Sequence, residues 1–233
     1  MKPIIIIPTY NEADNIKRLI SYINEVLNNV EYSILIVDDN SSDKTVEEVQ
    51  SLNFNNIHIL KRAGKLGLAS AYIDGIKYSI ELGFDTFIQM DADFSHNPKY
   101  LPEMIEKLKN YDLVIGSRNI KGGKVEGWSF LRNFISKGGS LYSRIILGCP
   151  IHDLTGGFNG WKLDLINKIN LDSIISKGYS FQIEMKYKAF LSKAKIIEIP
   201  IIFTDRKFGK SKMSKTIFFE ALLNIIKLRI NIH

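Results

Sequence analysis

Cysteine is almost missing from this chain: Cys149 is the only one in 233 residues. That excludes an internal disulfide framework and a cysteine-built zinc site, and it is compatible with a reducing cytoplasm. The six prolines are scattered, and no stretch rich in Pro, Gly and Ser divides the sequence, so one domain over 1–233 is expected. Long apolar runs are lacking too. None reaches the length that spans a bilayer, and the run in the opening MKPIIIIPTYNE is too short for a signal peptide. No G-x-G-x-x-G follows the first apolar run, which counts against a nicotinamide or flavin enzyme. Histidines are few and isolated (His58, His96, His152 and His233), and none is assigned a catalytic role.

Charge is plentiful. Charged residues make up 24% of the chain beside 45% hydrophobic ones, the balance of an ordinary globular protein. The net charge of +6 is unevenly placed: Arg206, Lys207, Lys210, Lys212 and Lys215 crowd one segment, and Lys121, Lys124, Arg132, Lys137 and Arg144 another. Nucleic acid, anionic lipid, a phosphorylated small molecule or plain solvation would each account for it.

Apolar runs alternate with helical periodicity. Strands are predicted at 2–7, 33–37, 57–60, 86–90 and 113–116, each followed by a helix or a polar turn, which indicates an α/β fold with a mostly parallel sheet. Past 118 the pattern is less regular: helices over 131–147, 180–191 and 217–230, and a strand over 196–203 in which Pro200 marks an edge or a bend. Polar residues recur where strands end, and ligands of open α/β sheets bind at that edge.

The densest such exit is Thr86–Pro98, TFIQMDADFSHNP. If the strand runs through Met90 into Asp91-Ala92-Asp93, alternation points both carboxylates the same way, and a hard divalent cation between them would relieve their repulsion. Taken alone, the same D-x-D is more readily an N-cap pair for the helix near Pro98.

The order of motifs favours the cation. Pro8-Thr9-Tyr10-Asn11-Glu12, Val37-Asp38-Asp39-Asn40-Ser41, Gly64-Lys65-Leu66-Gly67, Asp91-Ala92-Asp93 with Ser95-His96, and Gly116-Ser117-Arg118 occur in that sequence. Asp153-Leu154-Thr155-Gly156-Gly157-Phe158 follows, then Asp205-Arg206 with Gly209-Lys210-Ser211-Lys212. Each is weak alone, but together they span nearly the whole chain. They resemble family 2 glycosyltransferases of the GT-A fold, and most closely the dolichol-phosphate and related polyprenol-phosphate mannosyltransferases.

The resemblance implies a Rossmann-like, mostly parallel central sheet flanked by helices. The nucleotide-binding half falls at about 1–118 and the acceptor-binding half at about 119–233. By the same resemblance, Pro8, Tyr10, Glu12, Val37, Asp39, Asp91 and Ala92 bind the nucleotide sugar. Asp93 ligates Mg2+ or Mn2+, shared with Asp91 and Ser95. Arg118, Arg206 and Lys212 meet the phosphates, whereas Lys207, Lys210 and Lys215 are read as solvated.

The implied reaction is inverting transfer of mannose from GDP-mannose to dolichyl or polyprenyl phosphate. A phosphate acceptor is already ionised, so no strong base is demanded; Asp153 is the candidate if one is needed. The lipid acceptor implies a peripheral position on the cytoplasmic side of a membrane, without a transmembrane helix. Helices 131–147 and 217–230 either lie in the interface or pack on the sheet, and a membrane-anchoring subunit remains an open alternative. No nucleic-acid partner is expected. UDP-glucose as donor is the first alternative. A soluble or polysaccharide acceptor is the second, disfavoured because the Q-x-x-R-W pattern associated with processive relatives is missing.

Overall fold

Four consecutive isoleucines, Ile4 to Ile7, have no polar side to turn to water, so the strand that holds them must be covered on both faces. In the computed structural model, which describes residues 1–176, 178–205 and 224–230, all four are fully buried at the centre of the sheet. They belong to β1 (Pro3–Thr9), flanked in parallel by β2 (Ser33–Asp38) and β4 (Thr86–Gln89), and β3 (Ile57–Lys61) pairs with β2. The seven-stranded order is β3-β2-β1-β4-β7-β5-β8, with β5 at Leu113–Ser117, β7 at Asn159–Lys162 and β8 at Ile196–Pro200.

Odd and even residues of the strands feed two separate cores. Ile5 and Ile7 pack with α1 (Ala13–Val26), α2 (Thr45–Gln50) and α4 (Leu101–Leu108). Ile4 and Ile6 pack with α3 (Leu68–Glu81), α6 (Leu163–Ile169) and α7 (Tyr179–Leu191). This three-layer α/β/α arrangement is the GT-A fold that the resemblance implies. Gly75 of α3 shows how tight the packing is, since a Cβ there would sit 2.7 Å from Ile6 Cγ2.

The second half of the chain enters the same sheet. β7 runs antiparallel between β4 and β5, a strand absent from the sequence reading because it is four residues long and starts Asn-Gly. Gly160 lets α4 pack closely on the strand: a Cβ would meet Leu108 Cδ1 at 2.7 Å and force that side chain to shift. The strand expected over 196–203 divides in two. β8 closes the sheet edge, where Pro200 lacks no needed donor, and β9 (Ile202–Thr204) leaves to pair with β6 (Lys124–Glu126) in a separate two-stranded sheet.

α5 (Phe130–Leu147) buries Leu147 but leaves Leu141 and Ile145 exposed. In the helical stretch 224–230, Ile225 and Leu228 are buried while Ile226 and Ile230 face outward. Both helices therefore pack and still present an apolar face. Among the described residues no helix is long and apolar enough to cross a membrane.

Candidate active site

The exits of β1, β2 and β3 form one rim. Past β1, Tyr10 stands exposed with the Lys65 ammonium 3.5 Å from its ring centroid, a cation–π contact. Glu12 precedes α1, and its backbone N–H donates to Thr45 Oγ1 at 2.8 Å. Asp38 is buried and accepts from Thr9 Oγ1 at 2.9 Å and from the Ser41 N–H at 2.9 Å. Asp39 bonds Arg62 through one oxygen and accepts the Gly67 N–H at 3.0 Å through the other. A carboxylate offers about four lone-pair sites, so acceptor capacity remains. The Val37 and Ala92 side chains, at the exits of β2 and β4, are buried in the two cores.

The D-x-D is not the tail of a strand. β4 stops at Gln89, so alternation along an extended segment does not place Asp91 and Asp93; a tight turn does. Phe94 takes a φ of +62°, and Asp93 Oδ1 accepts the Ser95 N–H at 3.0 Å. Tyr72 on α3 donates its hydroxyl to Asp91 Oδ1 at 3.0 Å. Burial, then the two nearby aspartates, push the Tyr72 phenol well above its ordinary pKa, so it stays a donor. The Asp91 N–H donates to His96 Nδ1 at 3.0 Å, which leaves the ring proton on Nε2. Burial holds His96 below its ordinary pKa despite the pull of Asp91 and Asp93, so the imidazole is neutral.

Oxygen donors dominate this turn. Ser95 Oγ is buried and has no hydrogen-bond partner among the described residues. An orphaned hydroxyl beside two carboxylates fits a hard divalent cation. Among the described residues no three His, Cys, Asp or Glu side chains converge, so a cation held here would take the rest of its shell from water or ligand oxygens.

Across His96 the charge changes sign. His96 stacks on Phe158 with centroids 5.0 Å apart and meets Phe203 edge-on at 5.7 Å. The Arg118 guanidinium lies 5.3 Å from the Phe203 centroid. Arg118 follows β5 and is clamped by Asp153: Nε to Oδ2 and Nη2 to Oδ1, both 2.7 Å, with its own backbone N–H on Oδ2 at 2.9 Å. Asp153 is fully buried and also takes the Gly156 N–H at 2.9 Å. Burial alone would raise its pKa, but the Arg118 charge and hydrogen bonds outweigh that and hold it well below the carboxylate range. Such a group orients Arg118 better than it takes a proton.

Beyond Arg118 opens a cleft of about 300 Å³ lined by Lys137, Ser140, Leu141, Arg144 and His152. Two of the expected phosphate-binding residues, Arg206 and Lys212, lie outside the described residues. Arg62, Tyr72 and the aromatic packing of Phe203 were not singled out from the sequence. Nothing in their local spacing marks them, since each acquires its partner from a different element.

A family model described as glycosyl transferase family 2 matches residues 4–169. The undecaprenyl-phosphate mannosyltransferase of Micrococcus luteus is 40% identical over 97% of this chain and 93% of its own length. The polyprenol monophosphomannose synthase of Mycolicibacterium smegmatis is 36% identical over 96% and 85%. The dolichol-phosphate mannosyltransferase of Pyrococcus furiosus is 39% identical over 98% of this chain but only 64% of that protein. Among solved structures, glucosyl-3-phosphoglycerate synthase of Mycobacterium tuberculosis with Mg2+ and UDP superposes with a TM-score of 0.70. It covers 97% of this chain and 79% of the other at 15% identity, a likeness of fold. With a rim of acids, a clamped arginine and near full-length relatives in agreement, the chain belongs to glycosyl transferase family 2 and is a glycosyltransferase.

Proposed function

We propose that this enzyme transfers mannose from GDP-mannose to a polyprenyl phosphate at a membrane surface, with inversion at the anomeric carbon. The observation that carries the reading is the meeting of two unlike sites across His96. One is an acidic turn with an orphaned oxygen, and the other is a buried guanidinium that opens onto a basic cleft. A diphosphate donor and a phosphorylated acceptor need that pair of environments side by side. The names of the relatives, each a polyprenol or dolichol mannosyl enzyme, support the sugar and the lipid.

In this reading Tyr10, Glu12 and Asp39 hold the nucleoside, and Asp91, Asp93 and Ser95 would hold Mg2+ or Mn2+. That cation, when bound, neutralises charge on the leaving diphosphate. Arg118, whose Nε and Nη2 are held by Asp153, brings its fixed positive charge to the phosphate without reorganising during the reaction. Arg206 and Lys212 add charge by resemblance. The acceptor phosphate enters the cleft past Lys137 and Arg144, already ionised, so the protein need only fix its line of attack. Leu141, half exposed on the cleft wall, and Ile145 beyond it give the prenyl chain and the bilayer surface an apolar bed edged by cations.

A panel of GDP- and UDP-sugars offered with one polyprenyl phosphate, read by mass spectrometry of the lipid product, tests this directly. Mannosyl lipid from GDP-mannose, dependent on Mg2+ or Mn2+, is the expected result. Product from UDP-glucose alone, or turnover without any lipid phosphate, would overturn the assignment. A second readout is binding: the melting temperature should rise with GDP plus Mn2+ and not with GDP alone.

A further inference from the structure

The turn 152–157 carries Asp153, yet its own backbone is irregular and largely buried, and buried backbone groups must find partners. They find two charged side chains from distant elements. Glu198 of β8 accepts the His152 N–H at 2.8 Å through Oε2 and the Asp153 N–H at 3.0 Å through Oε1. From the other side Lys186 of α7 donates its ammonium to the carbonyls of Asp153 at 2.8 Å, Gly156 at 2.7 Å and, at longer range, Leu154 at 3.4 Å. Every N–H of that ammonium is spent on a single turn.

Lys186 is fully buried, on a helix whose residues Ser180 to Tyr187 are all buried. Among the described residues no carboxylate lies within ion-pair distance of it; its contacts are carbonyl oxygens. An apolar side chain of similar length would be easier to bury at this depth, because a charge taken from water is costly even when paired. It would also take the ammonium donor from the Asp153 and Leu154 carbonyls and leave Gly156 only the Asn159 Nδ2–H at 3.1 Å. The charge is therefore placed for the turn and not for the helix.

We propose that Lys186 and Glu198 are positioning residues for the transfer: gripping the 152–157 turn from its two sides, they fix the angle at which Asp153 holds the Arg118 guanidinium toward substrate phosphate. The proposal rests on the function above in giving Arg118 a phosphate to meet, but the grip itself can be measured without substrate. Neither residue touches the reacting atoms. Their effect passes through the two 2.7 Å bonds between Arg118 and Asp153.

The test uses the full chain, 15N-labelled, with Lys186→Met and Glu198→Gln. The first readout is hydrogen exchange of the Arg118 Nε–H, assigned by its disappearance in Arg118→Lys. The second is kcat and KM with GDP-mannose and polyprenyl phosphate. In Lys186→Met, folded by circular dichroism, that N–H should exchange faster than in the parent and kcat should fall by about tenfold. Donor KM should stay within about threefold, the pattern of lost orientation and not of lost binding. Glu198→Gln, which keeps size and one acceptor, should move both readouts in the same direction by less.

A folded Lys186→Met with native exchange and native kcat overturns the proposal. If Lys186→Met does not fold, Glu198→Gln decides it: unchanged exchange and unchanged kcat there overturn it, and faster exchange with reduced kcat supports it. Should the parent enzyme fail to use the lipid phosphate, the function falls while the exchange measurement still judges the grip.

Discussion

The two edges of the site hold their charges in opposite ways. At the acidic rim, partners come from near and far: Asp38 from Ser41 and Thr9, Asp93 from the Ser95 N–H, Asp39 from Arg62 and Asp91 from the Tyr72 hydroxyl. Asp91 and Asp93 are partly open to solvent. At the acceptor edge the fully buried Asp153 meets Arg118, Lys186 and Glu198 across separations of 35, 33 and 45 residues. Under the proposed function, the partial exposure of Asp91 and Asp93 is what lets a cation and a diphosphate come and go at the first edge. The second is organised before anything binds, which suits a guanidinium that must act without rearranging.

The largest effect should come from emptying the open edge. Asp93→Ala is expected to lower Mg2+- or Mn2+-dependent turnover by about a hundredfold or more while changing stability by less than about 1 kcal/mol. Turnover assays beside urea melts check both halves, and an unimpaired variant would break the contrast. Asp153→Asn should do the reverse. It leaves Arg118 buried without its carboxylate, which typically costs about 3–5 kcal/mol of stability, with activity falling as well.

The pH dependence separates the edges further. Asp153 has a folded pKa far below its unfolded value near 4. Its contribution is thus present above about pH 4 and is lost as pH falls toward the folded pKa. Lys186, pushed down by burial to about 8, works at the other end. Stability rises as pH climbs from about 8 toward the unfolded value near 10.5, because only the unfolded chain still binds that proton. Denaturant melts across pH should show the acid limb vanish in Asp153→Asn and the alkaline rise vanish in Lys186→Met.

The same contrast decides what could be read in the sequence. The open edge was legible where its devices are local: Asp-Asp-Asn-Ser and Asp-Ala-Asp-Phe-Ser are turn chemistry written in consecutive letters, and β1, β2 and β4 announce themselves as apolar runs, whereas the partners Arg62 and Tyr72 left no such mark. Even there the reason was misjudged, since Phe94 at positive φ and not strand alternation shapes the acidic turn. The closed edge was visible only as a motif. That Asp153 clamps Arg118, or that Lys186 on a buried helix reaches three carbonyls, depends on β7 entering the sheet antiparallel between β4 and β5. No spacing in a four-residue strand beginning Asn-Gly encodes that insertion.

Smaller effects test the surfaces around each edge. Tyr10→Ala removes a stacking face and the Lys65 cation–π contact, together worth about 1 kcal/mol. Donor KM should rise about fivefold to tenfold with kcat nearly kept, a pattern confined to the nucleotide edge. The smallest change is expected on the outer face of α5. Ile145 is 70% exposed, so Ile145→Glu should leave stability within about 0.5 kcal/mol. If that face lies in the lipid interface, the variant gives up roughly 1 kcal/mol of apolar burial and gains repulsion from anionic headgroups. Co-sedimentation with anionic vesicles should then fall about fivefold and the KM for polyprenyl phosphate should rise, while the KM for GDP-mannose stays put. Equal changes in both KM values would mean that α5 serves the whole site and not the acceptor edge alone.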